Sequence, residues 1–203
     1  MYWANFYAHT EFTTGSTFCS AVLDRSDLPT TILELGCGDG RDAFTFAQSG
    51  RYVTGLDRSH IGVDHAGRKA ERAGIADRLR FRTCDVSDTA ALANEITSAR
   101  EDDKPLLTYM RFFLHSITAE VQTGLLNTVA EHARLGDHLA VEFRTDKDEE
   151  NAKVHGGHYR RYQSAAAFRD QITALGYTII DETEGTGLSP YGDEDPELYR
   201  AIA

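Results

Sequence analysis

Hydrophobic and polar positions along the chain form two alternating kinds of segment. Short apolar runs bounded by turn residues, such as 31–35 and 52–57, predict β-strands. Segments in which apolar side chains recur at helical spacing, such as 61–73, predict helices. Further helices are predicted at 89–96, 121–135 and 165–176, and further strands at 79–85, 105–110, 137–144, 177–183 and 198–203. Strands that alternate with helices predict an α/β fold: a doubly wound, mostly parallel sheet with helices on both faces.

The first strand leads directly into a turn with three glycines at alternate positions between 36 and 40. Glycine has no Cβ, so the backbone can turn sharply there and a ligand can lie against the main chain. This arrangement before a helix is typical of a cofactor cradle, and a dinucleotide-binding turn has similar glycine spacing. A pyrophosphate would favour neutral or positive surroundings, but the turn carries the carboxylates of Glu34, Asp39 and Asp42. The flanking acids therefore favour a cationic ligand.

Two later strands also end in an aspartate. Asp57 ends the second strand about 20 positions beyond the glycine turn, where the ribose of a nucleoside needs a hydroxyl acceptor. That position fits a nicotinamide dinucleotide as well as other nucleosides. Asp85 ends the third strand, and capping of the following helix is an alternative role for both aspartates.

The pattern Glu-x-Gly-x-Gly-x-Gly that starts at Glu34 resembles the first motif of class I S-adenosylmethionine-dependent methyltransferases. The resemblance implies a seven-stranded sheet with the last strand inserted antiparallel, and S-adenosylmethionine as the cofactor. It also implies that Asp85 contacts the adenine amino group and that Val86 packs on the adenine face. Cofactor contacts are expected at Glu34, Gly36, Cys37, Gly38, Asp39, Gly40, Asp42, Asp57, Arg58, Asp85, Val86, Arg111, Tyr7 and Trp3.

Four further short matches resemble a subfamily of small bacterial methyltransferases described as tellurite-resistance-like. Some members of that subfamily accompany capsule, cell-surface sugar or natural-product pathways. Its patterns R-F-x-L-H, E-x-R, H-Y-R-R and E-D-P fall on 111–115, 142–144, 158–161 and 194–196. Because the substrates of this group are diverse, the resemblance does not name the methyl acceptor.

Basic and aromatic residues gather after the fourth and fifth strands, where a doubly wound sheet binds its ligands. Arginine binds carboxylate or phosphate through two parallel hydrogen bonds, so this rim predicts a small anionic substrate. Ion pairing of the arginines with nearby acids is the alternative. The expected substrate contacts are Arg144, His158, Tyr159, Arg160 and Arg161.

His115 and His158 are the candidate catalytic residues, since a histidine near neutral pKa can act as a general base. A structural histidine under the loop is the alternative for either one. An acceptor that is already ionised at neutral pH would need no base.

Length and composition predict a single domain over residues 1–203, which the resemblance implies to be a methyltransferase domain. Four aromatic residues among the first seven predict residues 1–26 as an N-terminal helical lid, and a helix packed on the core is the alternative. A net charge of −11 argues against a nucleic-acid partner. No apolar run is long enough to span a bilayer, and the start lacks the features of a signal peptide. Three cysteines indicate neither a disulfide framework nor a metal site, so the cytoplasm is the expected compartment. A monomer or a homodimer is expected.

These observations predict a methyltransferase that transfers a methyl group to an oxygen of a small anionic metabolite, for example a phosphonate, phosphate-bearing, carboxylate or sugar acceptor. Methylation of nitrogen or of a metalloid oxyanion is the alternative within the class. Two different classes remain: a nicotinamide-dependent oxidoreductase and a non-catalytic cofactor-binding protein.

Overall fold

The computed structural model describes residues 14–100, 104–151, 153 and 159–203. The helices in these ranges are α1 (Thr17–Leu23), α2 (Arg41–Gln48), α3 (His60–Arg72), α4 (Thr89–Ala99), α5 (Ala119–Glu131) and α6 (Ala165–Ala174). The strands are β1 (Thr31–Leu35), β2 (Tyr52–Asp57), β3 (Leu79–Thr83), β4 (Leu106–Arg111), β5 (His138–Arg144), β6 (Asp181–Gly185) and β7 (Leu198–Ile202). Short 3-10 turns lie at Leu114–Ser116 and Asp146–Asp148.

The seven strands form one sheet in the order β3-β2-β1-β4-β5-β7-β6. Strands β1 to β5 pair in parallel, and β7 is inserted antiparallel between β5 and β6. The doubly wound fold and the antiparallel last strand are therefore confirmed. The strand order reverses between β1 and β4, and this reversal opens a crevice at the carboxyl ends of the strands.

Both faces of the sheet are covered, which explains why β1 is buried along its whole length. Ile32 belongs to the apolar cluster under α1, α2 and α3, whereas Leu33 and Leu35 belong to the cluster under α4, α5 and α6. This alternation follows from the two-residue period of a strand. The edge strand β6 is mostly exposed.

Side-chain caps fix where most helices begin. In five of the helices an N-cap side chain accepts a hydrogen bond from a backbone N–H of the first turn; the caps are Ser16, Ser59, Asp88, Thr118 and Ser164. The predicted helix 121–135 is wrong at its end, because the helix stops at Glu131 and Leu135 lies fully exposed outside it.

The predicted strand 177–183 is also wrong at its start. Gly176 adopts a left-handed φ of 94° that ends the preceding helix, and the N–H of Tyr177 bonds back to the carbonyl of Ile172. Tyr177 and Ile179 then pack against the core from a loop. The strand begins only at Asp181.

Candidate functional site

A cavity of about 870 Å³ opens at the carboxyl ends of the central strands. Its two ends lie on opposite sides of the β1–β4 reversal. We call one the glycine end; it is lined from segments 34–42, 56–59 and 84–87 after β1, β2 and β3. We call the other the arginine end; it is lined by Arg111, Phe112, Arg144 and residues of segments 159–160 and 189–196. The volume falls in the range of pockets that enclose a small-molecule ligand.

The glycine turn requires glycine for two physical reasons. Gly36, Gly38 and Gly40 have φ values of 75°, 57° and 83°, a region that L side chains rarely adopt. A Cβ at Gly36 would also overlap the ring of Phe113, and one at Gly40 would overlap the ring of Phe81. Gly36 lines the cavity, whereas Gly38 and Gly40, also expected to contact the cofactor, are buried in the turn and are not among the lining residues.

Asp57 holds the turn against β2. Its Oδ2 accepts the N–H of Gly38 at 3.0 Å, and its Oδ1 accepts the N–H of Ser59 at 2.8 Å. The cap of α3 is Ser59, so the alternative role of Asp57 as the cap does not apply. Asp57 lines the cavity, as expected for a ribose contact.

Asp85 and Val86 lie at the same end of the cavity, together with Arg58 and the half-buried Asp39. Asp88 caps α4, so the capping alternative does not apply to Asp85 either. Hydrogen bonds from the backbone N–H and the hydroxyl of Ser87 lower the pKa of Asp85, which keeps this carboxylate charged.

Glu34 provides the clearest sign of a missing partner. Its side chain is buried, and Oε2 has no hydrogen-bond partner among the described residues. Burial, with the neighbouring charge of Asp42, raises the pKa of Glu34 well above its ordinary value. Since Glu34 lines the cavity, the glycine end fits a ligand with a positively charged or hydrogen-bond-donating group.

Asp42 also lines the cavity, but its oxygens are occupied by protein groups. It accepts the N–H and the hydroxyl of Ser16 at 2.7 Å each, and the hydroxyl of Tyr109 at 2.7 Å. Asp42 was expected to contact the cofactor. In the structure it ties the segment before α1 to the start of α2 and to β4.

The cysteines carry no sign of nucleophilic chemistry. Cys37 and Cys84 are buried in the cavity wall, and burial raises the pKa of both thiols. Both thiols therefore stay protonated and weakly nucleophilic at neutral pH. Cys37 keeps its expected place at the glycine end.

At the arginine end, Arg111 and Arg144 are both paired with carboxylates. Arg111 donates from Nε to Glu142 at 3.0 Å. Arg144 donates from Nη1 to Asp148 at 2.6 Å and from Nη2 to Glu194. Both arginines line the cavity, but these carboxylates offset their charge.

Only part of segment 158–161, in which substrate contacts were predicted, lines the cavity. Tyr159 and Arg160 line it. Arg161 is not among the lining residues; its guanidinium donates to the carbonyls of Ile117 at 3.1 Å and Leu114 at 3.2 Å. Arg161 thus fastens its own segment to the chain beyond β4.

His115 is buried in the cavity wall, where its Nδ1 accepts the backbone N–H of Arg144 at 3.4 Å. An imidazole nitrogen that accepts a hydrogen bond has no proton, so in the neutral ring the proton lies on Nε2. This arrangement favours His115 as a hydrogen-bond donor over a general base. His158, Trp3 and Tyr7 lie outside the described residues.

Sequence reasoning missed several residues that build the arginine end. Ser16 and Thr17 line the cavity from the start of α1, and Ser189 and Tyr191 line it from the loop before β7. Apart from the cap at Ser16, these residues sit in no recognisable motif. In the described ranges there is no group of three or more His, Cys, Asp or Glu that could hold a metal ion.

Residues 32–136, more than half of the chain, match the family model of the methyltransferase domain. The chain belongs to this methyltransferase family. The comparison with curated proteins finds no match. The predicted class I methyltransferase that uses S-adenosylmethionine is confirmed, and the nicotinamide-dependent oxidoreductase is not supported. The narrower tellurite-resistance-like subfamily stays a prediction.

Three solved structures with the same fold are those of methyltransferases. The CcbJ methyltransferase from Streptomyces caelestis aligns with a TM-score of 0.71 at 15% identity, over 98% of this chain and 94% of its own. The glycopeptide N-methyltransferase MtfA, complexed with S-adenosylhomocysteine, aligns with a TM-score of 0.66 at 17% identity, over 95% of this chain and 89% of its own. Magnesium protoporphyrin IX methyltransferase from Synechocystis PCC 6803, with S-adenosylmethionine bound, aligns with a TM-score of 0.63 at 17% identity. The alignment covers 91% of this chain and 75% of that protein.

No described helix of the methyltransferase combines the length and the apolar character needed to cross a membrane.

Proposed function

We propose that the methyltransferase transfers a methyl group from S-adenosylmethionine to an oxygen atom of a small metabolite that carries an acidic group. The observation that carries the proposal is the pairing of two unlike ends in one cavity. The glycine end has the backbone of Gly36 and a buried oxygen of Glu34 that lacks a hydrogen-bond partner among the described residues, whereas Arg160 and Tyr159 line the arginine end.

The residues of the glycine end fit the cofactor. The unpartnered oxygen of Glu34 suits its ammonium group, Asp57 suits the ribose hydroxyls, and Asp85 with Val86 suits the adenine. When bound, the cofactor supplies a methyl group on a positively charged sulfur. The protein's part is to hold this group in line with the acceptor atom and to exclude water.

The acidic acceptor is supported by Arg160, which lines the arginine end and whose planar guanidinium suits a carboxylate or phosphate. His115 supports an acceptor oxygen that is ionised before the reaction. A carboxylate or phosphonate has lost its proton at neutral pH, so a hydrogen-bond donor such as His115 can orient it without acting as a base.

Nitrogen methylation is the second candidate. The support for it is that MtfA, which shares this fold, is a glycopeptide N-methyltransferase. The cytoplasm is the proposed compartment, since all three cysteines are free.

A methyl-transfer screen tests the proposal. The protein is incubated with S-adenosylmethionine labelled in its methyl group and with two panels, one of carboxylates, phosphonates and sugar phosphates and one of neutral amines. We expect label in the acidic panel, released by mild base where a carboxyl methyl ester has formed. Label only in the amine panel would favour the second candidate. Binding of S-adenosylhomocysteine without any transfer would favour a non-catalytic protein.

A further inference from the structure

Arg200 on β7 lies behind the arginine end and is not among the residues that line the cavity. Its guanidinium makes four hydrogen bonds to separate parts of the chain, of which the one to the hydroxyl of Ser189 is the longest at 3.5 Å. Nε donates to Oε2 of Glu142 at 2.5 Å, and Nη2 donates to Oγ1 of Thr17 at 2.7 Å and to the carbonyl of Leu188 at 2.8 Å. One side chain thus joins β5, the start of α1 and the loop before β7.

Glu142 fixes the orientation of this guanidinium. It is fully buried, and it accepts hydrogen bonds from both Arg111 and Arg200. The hydroxyl of Ser189 lies 3.3 Å from its Oε1 and 3.4 Å from its Oε2. A buried carboxylate with several charged and polar partners holds each partner in a defined place.

The two segments that Arg200 joins also contact each other. The hydroxyl of Thr17 donates to the carbonyl of Leu188 at 2.5 Å and lies 3.2 Å from the hydroxyl of Ser189. Thr17 and Ser189 both line the cavity, although they are far apart in the sequence. They form one stretch of wall at the arginine end, and the guanidinium of Arg200 closes it from behind.

We propose that Arg200 is a positioning residue for the acceptor: it acts through Thr17 and residues 188–189 and touches neither substrate nor cofactor. The inference rests on the proposed function in placing the acceptor at the arginine end. The acceptor lies against this wall, so a small displacement of the wall weakens acceptor binding without disturbing the glycine turn.

Two variants test the contact between Arg200 and Thr17, and two further variants are controls. Arg200→Lys keeps the positive charge beside Glu142 but loses the planar fork that reaches Thr17 and Leu188 together. Thr17→Val removes the bridging hydroxyl and leaves the ion pair with Glu142 in place. Thr17→Ser keeps that hydroxyl, and Thr97→Val removes a hydroxyl that bonds only to the carbonyl of Ala93 on an exposed helix face.

Two measurements are made on all four variants. Backbone amide exchange is followed by mass spectrometry over peptides covering 186–191 and 31–48, and the dissociation constant of S-adenosylhomocysteine is measured by calorimetry. We expect Arg200→Lys and Thr17→Val to exchange about tenfold faster over 186–191. Exchange over 31–48 and the affinity for S-adenosylhomocysteine should stay within twofold of the parent. Thr17→Ser and Thr97→Val should behave like the parent in both measurements.

Kinetics with the acceptor identified by the screen complete the test. The KM for the acceptor should rise about tenfold in Arg200→Lys and Thr17→Val, and the serine variant should restore it. Three results would each overturn the proposal. They are unchanged amide exchange over 186–191, an unchanged KM despite faster exchange, and a parallel loss of affinity for S-adenosylhomocysteine. The exchange experiment needs no acceptor. Its result therefore tests the role of Arg200 even if the screen shows that the proposed acceptor class is wrong.

Discussion

The two ends of the cavity are built in different ways. The glycine end is built from three short segments, 34–42, 56–59 and 84–87, where backbone conformation and carboxylates at or near the strand ends make the site. The arginine end is assembled from side chains of β4, β5 and β7 and from the loop before β7, and its arginines largely pair with the protein's own acids. One end keeps an unpartnered carboxylate oxygen for its ligand, whereas the other uses its charges to hold its walls together. A charged residue at the rim is therefore weak evidence for an ionic substrate contact.

The largest effect should come from the arginine end. Arg144→Ala leaves Asp148 and Glu194 without their shared partner in a buried setting, so we expect a loss of about 3–5 kcal/mol in the free energy of unfolding. Denaturant unfolding measures this loss. Arg169→Ala, which breaks an exposed pair with Glu182, is the matched control and should cost less than about 1 kcal/mol. If the Arg144→Ala protein is as stable as the parent and only its KM for the acceptor rises, Arg144 contacts the substrate, as the sequence predicted.

At the glycine end, Gly36→Ala forces a left-handed backbone onto a residue with a Cβ and presses it into Phe113. We expect a loss of about 2–4 kcal/mol in stability, together with weaker binding of S-adenosylmethionine. Thermal unfolding and calorimetry measure the two effects. Gly50→Ala is the control, because Gly50 has a φ of 85° but open space around it, so only the backbone cost of about 1–2 kcal/mol applies. Equal losses in the two variants would mean that the contact with Phe113 is unimportant.

Asp57→Ala should weaken the binding of S-adenosylmethionine by about 1–3 kcal/mol, since the variant leaves the N–H of Gly38 and the ligand's hydroxyls without their acceptor. Titration calorimetry measures the dissociation constant. Asp170→Ala, on the exposed face of α6, should leave that constant unchanged. An unchanged constant in Asp57→Ala itself would remove Asp57 from the cofactor site.

The smallest effect concerns pH. Burial raises the pKa of Glu34 above its ordinary value of 4.5, so the folded protein keeps a proton that the unfolded chain releases. Stability should therefore fall as pH rises from about 4.5 through the folded-state pKa. Glu34→Gln removes this fall and should gain on the order of 1 kcal/mol at pH 8 relative to the parent. Denaturant unfolding at pH 5 and pH 8 measures the difference, with the exposed Glu131→Gln as the control. A parallel pH dependence in parent and Glu34→Gln would count against a raised pKa.

The glycine end was largely predictable from the sequence, because its residues act through local backbone geometry. Gly36, Asp57 at the end of β2 and Asp85 just beyond β3 are visible in short windows, and the structure places all three around one cavity. The doubly wound, mostly parallel sheet likewise follows from the alternation of strand and helix patterns.

The arginine end was not predictable in the same way, because its pairings join distant parts of the chain. Ion pairing of the rim arginines with nearby acids was an open alternative, but the sequence does not show that Arg144 pairs with Asp148 and with Glu194 in the loop before β7. Arg200 sits in the middle of a strand with no motif around it. Only the folded topology brings these charges together.

The packing of Phe113 on the glycine turn has a thermodynamic consequence. Its ring lies directly over Gly36, while the preceding residue, Phe112, has a left-handed φ of 51° and lines the arginine end. A ligand that shifts residues 112–113 therefore changes the free energy of the turn on which the cofactor rests. Because such coupling is reciprocal, the acceptor should alter the affinity for the cofactor by the same factor by which the cofactor alters the affinity for the acceptor.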